Sequence, residues 1–137
     1  MQTRELEPGI RTLPSPFAVD ETLNRLERLA TSRGMTIFAR VNFGRDAEQA
    51  GLKMQPSQLL ILGNPKGGTP LMIAAPLTAL DLPLKVLARA DEAGQCWVSY
   101  NTAEYLQQRH GFPKALIANI APLSALVDAV LKPDAVL

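Results

Sequence analysis

Between Asp20 and Phe43 the apolar residues change their period, and that change limits what this chain can fold into. Leu23, Leu26, Leu29 and Ala30 recur at helical spacing, while Asn24, Arg25, Glu27 and Arg28 occupy the other face. From Met35 onward, Ile37, Ala39, Val41 and Phe43 alternate with Thr36, Phe38, Arg40 and Asn42, a period of two. The spacing predicts an amphipathic helix over 20–33, with Asp20 as its N-cap and Gly34 as its stop, then a strand over 35–43. A one-sided helix beside a strand needs a sheet to pack on, which points to an α+β fold.

The remaining segments fit that class. Residues 1–9 are polar, end in Pro8-Gly9 and read as a loose lead-in to a short strand at 10–13, before Pro14 and Pro16. Residues 46–50 form a short helix closed by Gly51. Leu59-Leu60-Ile61-Leu62 is apolar in both phases, as in a strand buried on both faces. The glycine- and proline-rich stretch 63–70 predicts a turn, with Thr69 capping and Pro70 opening a helix over 71–75. A helical turn follows Pro76. Strands at 84–90 and 95–100 flank Asp91-Glu92-Ala93-Gly94 as an antiparallel hairpin. A helix over 102–110 is capped by Asn101 or Thr102 and ended by Gly111, and a last amphipathic helix covers 123–131. The predicted order is β-α-β-α-β-α-β-β-α-α, a mixed sheet of about five strands with helices packed on it.

Length and charge exclude several classes. A chain of 137 residues suits a single domain, 1–137, that needs no disulfide or metal to hold its core. Lys plus Arg is 14 and Asp plus Glu is 13, so there is no electrostatic case for nucleic acid or an anionic membrane as partner. The single cysteine, Cys96, cannot form an internal disulfide, which suits a reducing compartment. The apolar runs 59–62 and 71–75 are too short to cross a bilayer, and Met1 to Pro14 holds no signal-peptide run. The expectation is a cytoplasmic protein.

Several motifs occur in a fixed order. They are Gly63-Asn64-Pro65-Lys66-Gly67-Gly68-Thr69-Pro70-Leu71-Met72, Leu80-Asp81-Leu82-Pro83-Leu84-Lys85, Trp97-Val98-Ser99-Tyr100-Asn101, Tyr105-Leu106 and Arg109-His110-Gly111. Together with Thr22 to Leu29 and Gln55-Pro56, they resemble the family called domain of unknown function 302. The resemblance covers about 15–111, leaving 115–137 as a C-terminal helical extension. It implies a small α+β fold, often dimeric, and no established activity. Members of the family often carry an Asp-His pair at the end of the second strand. Here that place reads Asn42-Phe43, so no metal, haem or proton-transfer role of that histidine carries over.

Candidate site residues lie within these motifs. Amide N–H groups of Gly67, Gly68 and Thr69 at a helix start, with Asn64 and Lys66 beside them, would favour an anion. Asp81 and Lys85 can form an ion pair beside a cleft, and burial would make Lys85 a nucleophile. Tyr100 can orient a ligand through its hydroxyl. His110 is the single histidine, placed where a helix C-terminus favours a cation. One His and one Cys make no zinc set, and no cofactor is predicted. The leading expectation is a non-catalytic homodimeric module that binds or senses a small, partly anionic ligand at 64–69 with help from Lys85. The alternatives are a small enzyme using Lys85, Asp81, Tyr100 and His110 as acid–base groups, which requires them to converge on one pocket, and a dimeric protein-interaction scaffold.

Overall fold

The structure is a computed structural model and describes residues 8–133. Most of the predicted lead-in 1–9 and the end of the 115–137 extension lie outside those residues. Five strands form one sheet: β1 (Ile10–Ser15), β2 (Thr36–Asn42), β3 (Ser57–Gly63), β4 (Leu84–Ala90) and β5 (Cys96–Asn101), in the order β1-β5-β4-β3-β2. Five α-helices accompany it: α1 (Val19–Ser32), α2 (Phe43–Gln49), α3 (Pro65–Ala74), α4 (Ala103–His110) and α5 (Pro122–Val130). Single 3-10 segments span Pro76–Leu80 and Lys114–Asn119.

The α+β class, the strand number and the interleaving of helices follow the sequence reading. The sheet is not mixed, however, because every pairing is antiparallel. A parallel pairing needs a crossover that carries the chain back along the strand. The seven-residue α2 is too short for that return, and β4 and β5 are joined by a tight turn. β1 runs on through Pro14, which pairs with Trp97. Proline is tolerated there because β1 is an edge strand.

One face of the sheet is the core. Leu60, Leu62, Val86, Ala88 and Val98 alternate onto it and are buried. So are Leu23, Leu26 and Ala30 of α1 and Leu126 and Val127 of α5. The opposite phase, Leu59, Ile61, Leu87 and Trp97, keeps part of its surface exposed. The apolar doublets of β3 therefore have one fully buried face and one half-open face.

Polar groups lock α1 in place. Asp20 is not the N-cap, since Ala18 holds that position without a side-chain bond. Asp20 sits in the first turn, and its carboxylate accepts from Arg40 and Gln58 at 3.0 Å each. Arg40 also donates to Asn24 and Glu27 at 2.7 Å. Arg25, expected on the polar face, is buried. Its Nε donates to Val130 O and its Nη2 to Lys132 O, both at 2.9 Å, so it supplies partners to the carbonyls at the end of α5. Its guanidinium also stacks 4.1 Å from the Phe17 ring centre.

Candidate functional site

The stretch 63–70, read from the sequence as a turn, is mostly helix. Asn64 is the N-cap of α3, and its side chain accepts from Lys66 N–H at 3.0 Å. Pro65 takes the first helical position, where its missing N–H costs nothing. Thr69 and Pro70, expected as cap and opener, lie inside the helix. The N–H groups of Gly67 and Gly68 both reach Asn64 O at 2.9 Å. The donors that would have cradled an anion are thus spent on the helix itself. Gly67 has a further constraint: a Cβ on it would stand 2.8 Å from Asn119 O, and Asn119 Nδ2 donates to Gly67 O at 3.0 Å. Gly67 lets the 3-10 segment at 114–119 lie against α3.

A cleft of about 440 Å³ opens beside this helix, at the end of the sheet where β3 stops and β4 begins. Met35, Phe38, Met72, Leu82 and Leu126 give it apolar walls, while Asn64, Thr69, Asn119 and Arg33 supply its polar edge. Gly63, Pro65, Gly68, the cis-linked Pro83, Leu84, Ile120, Pro122 and Leu123 complete the lining. Phe38 is 49% exposed, an unusual state for a phenylalanine beside a concave surface. Of the residues singled out at 64–69, Asn64, Gly68 and Thr69 border this cleft, and Lys66 and Gly67 do not.

The four acid–base candidates do not converge. Asp81 and Lys85 form no ion pair: Lys85 Nζ donates to Pro83 O at 3.2 Å. Asp81 Oδ2 instead meets His110 Nε2 at 2.5 Å and Arg109 Nη1 at 3.0 Å. The His110 side chain is 5% exposed and that of Asp81 16%, so this cluster ties the end of α4 to the residue that follows the 3-10 segment Pro76–Leu80. Tyr100 lies on the core face, in phase with Val98 and Cys96, whereas Lys85 belongs to the opposite phase with Leu87. Lys85 and Tyr100 therefore leave the sheet on opposite sides.

Tyr100 has partners that the sequence reading missed. Its hydroxyl accepts from Arg11 Nη1 at 2.6 Å and donates to Ser124 Oγ at 3.1 Å. Arg11 Nη1 also reaches Ser124 Oγ at 3.1 Å, and Nη2 pairs with Asp128 at 2.8 Å. Partial burial works against the Arg11 charge, but the bonds to Tyr100 and Asp128 outweigh it and hold the guanidinium above its ordinary pKa. The available signal was the phase of β1: Arg11 lies two residues from the buried Leu13, on the same face of the strand, and so points inward. Cys96 is buried. Desolvation pushes its thiol pKa up, against hydrogen bonds from Thr22 and Ser15. Among the described residues no group of three or more His, Cys, Asp or Glu could hold a metal ion.

Comparison with known proteins bears on this arrangement. The family model "Domain of unknown function DUF302" matches residues 11–130. The chain belongs to the DUF302 family. That match takes in α5, which supplies Leu123 and Leu126 to the cleft wall. "Fluoride-specific ion channel FluC 1" of Brucella suis is 41% identical over 105 residues, covering 77% of this DUF302 chain and 41% of that protein. The FluC 1 of Brucella abortus has the same identity over the same length, 39% of its own. The chain thus spans about two fifths of these curated relatives. The crystal structure of an uncharacterized conserved DUF302 protein from Bacillus stearothermophilus matches with a TM-score of 0.75 at 19% identity, over 91% of this chain and 97% of that one. This likeness establishes the fold. No helix among the described residues is long and apolar enough to cross a membrane.

Proposed function

We propose that this DUF302 chain is a non-catalytic binding module whose ligand occupies the cleft beside α3. The observation that carries this reading is the cleft itself, an apolar cavity of about 440 Å³ with a few polar groups at its edge. Such a cavity is where small molecules most often bind. The lining narrows the ligand class. Met35, Met72, Leu82 and Leu126 suit an apolar body, and Arg33 at the rim suits one anionic end. The seat differs from the one the sequence suggested: contact comes from the side chains of Asn64 and Thr69 and the bare backbone of Gly68 rather than from free amides, and Lys66 and Lys85 take no part.

A thermal-shift screen of small apolar acids and their neutral analogues tests this reading. The acids should raise the melting temperature of the natural chain. They should not do so for Gly68→Leu, whose side chain would extend past Leu82 Cδ1, 3.5 Å from the position of a Cβ. Lys66→Ala should respond like the natural chain. If no apolar acid stabilises the protein, or if Gly68→Leu responds fully, the reading fails.

A second reading, a homodimer, is favoured by the half-open sheet face. Leu59, Ile61, Leu87 and Trp97 present an apolar surface there, and a second copy could bury it. Sedimentation would then give a dimer for the natural chain and a folded monomer for Leu87→Glu. A monomeric natural chain excludes it.

A further inference from the structure

A second cavity, of about 230 Å³, lies against β1 and β5 and shares only Leu84, Ile120 and Leu123 with the larger cleft. Its polar side is the Arg11–Tyr100–Ser124 triangle. Ser124 Oγ accepts from both Arg11 and Tyr100. Its own hydrogen has no acceptor among the described residues. Arg11 spends three of its five N–H donors on Tyr100, Ser124 and Asp128. Asn101, Thr102, Ala103 and Glu104 form another wall, where α4 begins. Thr102 serves the N–H groups of Tyr105 and Leu106, through Oγ1 and through its carbonyl. Those of Ala103 and Glu104 have no acceptor among the described residues.

We propose that this cavity binds a small monocarboxylate, its carboxylate held between the Arg11 guanidinium and Ser124 hydroxyl on one side and the Ala103 and Glu104 amides on the other. The Ser124 hydroxyl hydrogen and the Ala103 and Glu104 amides are donors without acceptors among the described residues, and the one carboxylate in the lining, Glu104, is exposed to solvent. Asp128 already offsets part of the Arg11 charge, so directional hydrogen bonds rather than long-range attraction select the ligand. Leu84, Ile120 and Leu123 give the tail an apolar wall. The volume is below the roughly 300 Å³ at which drug-sized pockets begin, so the tail is short. The site stands apart from the α3 cleft and does not depend on that cleft being occupied.

An amide-resolved NMR titration of the full chain decides the matter, with acetate, butyrate and benzoate as probes and butyramide as the neutral control. Butyrate and benzoate should shift the Ala103 and Glu104 amides saturably, and butyramide should not. Ser124→Ala and Arg11→Gln should each weaken butyrate by about tenfold, the loss of one charge-assisted bond. Three results overturn the assignment: amides at 103 and 104 that stay still, butyramide binding as well as butyrate, or shifts confined to Met72 and Leu126 in the other cleft. Ser124→Ala removes only a hydroxyl from a half-exposed position, and the titration of the natural chain needs no variant at all.

Discussion

Adjacent glycines in α3 should respond to alanine in opposite directions. In a helix interior, Gly→Ala stabilises by roughly 0.5–1 kcal/mol, because alanine loses less backbone freedom on folding. Gly68 should show that gain, since a Cβ there meets nothing closer than Leu82 Cδ1 at 3.5 Å, an ordinary contact. At Gly67 the same Cβ would lie 2.8 Å from the backbone oxygen of Asn119, which no rotamer change can move aside. The 3-10 segment at 114–119 must then shift, at an overpacking cost of about 1–3 kcal/mol. The Asn119–Gly67 hydrogen bond is lost with it, worth about 1 kcal/mol. After the propensity gain, Gly67→Ala is expected to be destabilised by about 1–3 kcal/mol. For a domain of this size, that is a melting temperature lower by roughly 4–10 °C, against a rise of roughly 2–4 °C for Gly68→Ala. Urea and thermal unfolding of both variants measure the difference. If Gly67→Ala is as stable as the natural protein, the packing of Asn119 on α3 is not as described, and the wall of the larger cleft falls with it.

Three further outcomes follow from single side chains. Cys96, buried and with its thiol pKa raised by desolvation, should resist thiol reagents in the native protein and react once it unfolds; the unfolded chain ionises first, so the stability this group contributes is lost as pH climbs past the unfolded thiol pKa, a slope that Cys96→Ala should remove. Asp91 accepts from Trp97 Nε1 at 2.9 Å and from the N–H groups of Ala93 and Gln95, and its pKa is held below the usual carboxylate value, chiefly by the Trp97 bond. Stability from this group is present above the unfolded carboxylate pKa and is lost as pH falls through the lower folded value, so Trp97 emission should change only below that range, and not at all in Asp91→Asn. Thr78 is fully buried and its hydroxyl has no partner among the described residues, so Thr78→Val should raise the unfolding free energy by about 1 kcal/mol, read by urea titration.

Local pattern made α1, β2, the β4–β5 hairpin and α4 legible, because each signals itself within a dozen residues. The Gly111 cap of α4, at φ 74°, is the clearest case. What stayed hidden depends on distant partners. Two glycines, a threonine and a proline in succession argue against a helix, yet α3 forms because Asn64 caps it and Asn119 rests on Gly67. Arg25 looked like surface charge until its acceptors, 105 and 107 residues away, placed it in the core. Arg11 likewise acquires a role only through Tyr100 and Ser124, 89 and 113 residues along the chain. Tyr100 was marked as a ligand-orienting residue from its place at a strand end, but the partners that define its surroundings come from the two ends of the fold.

The pairing of β1 with β5 has a consequence for how the protein is made. During synthesis the first strand is made 89 residues ahead of β5, its neighbour in the sheet among the described residues, a gap of roughly 5–20 s. Over that interval it is an unmatched edge able to recruit another chain. Pro14 withholds a donor from any such intruder, yet is accepted opposite Trp97 when the rightful partner arrives. A residue that looks like an interruption of the first strand thus guards the nascent chain.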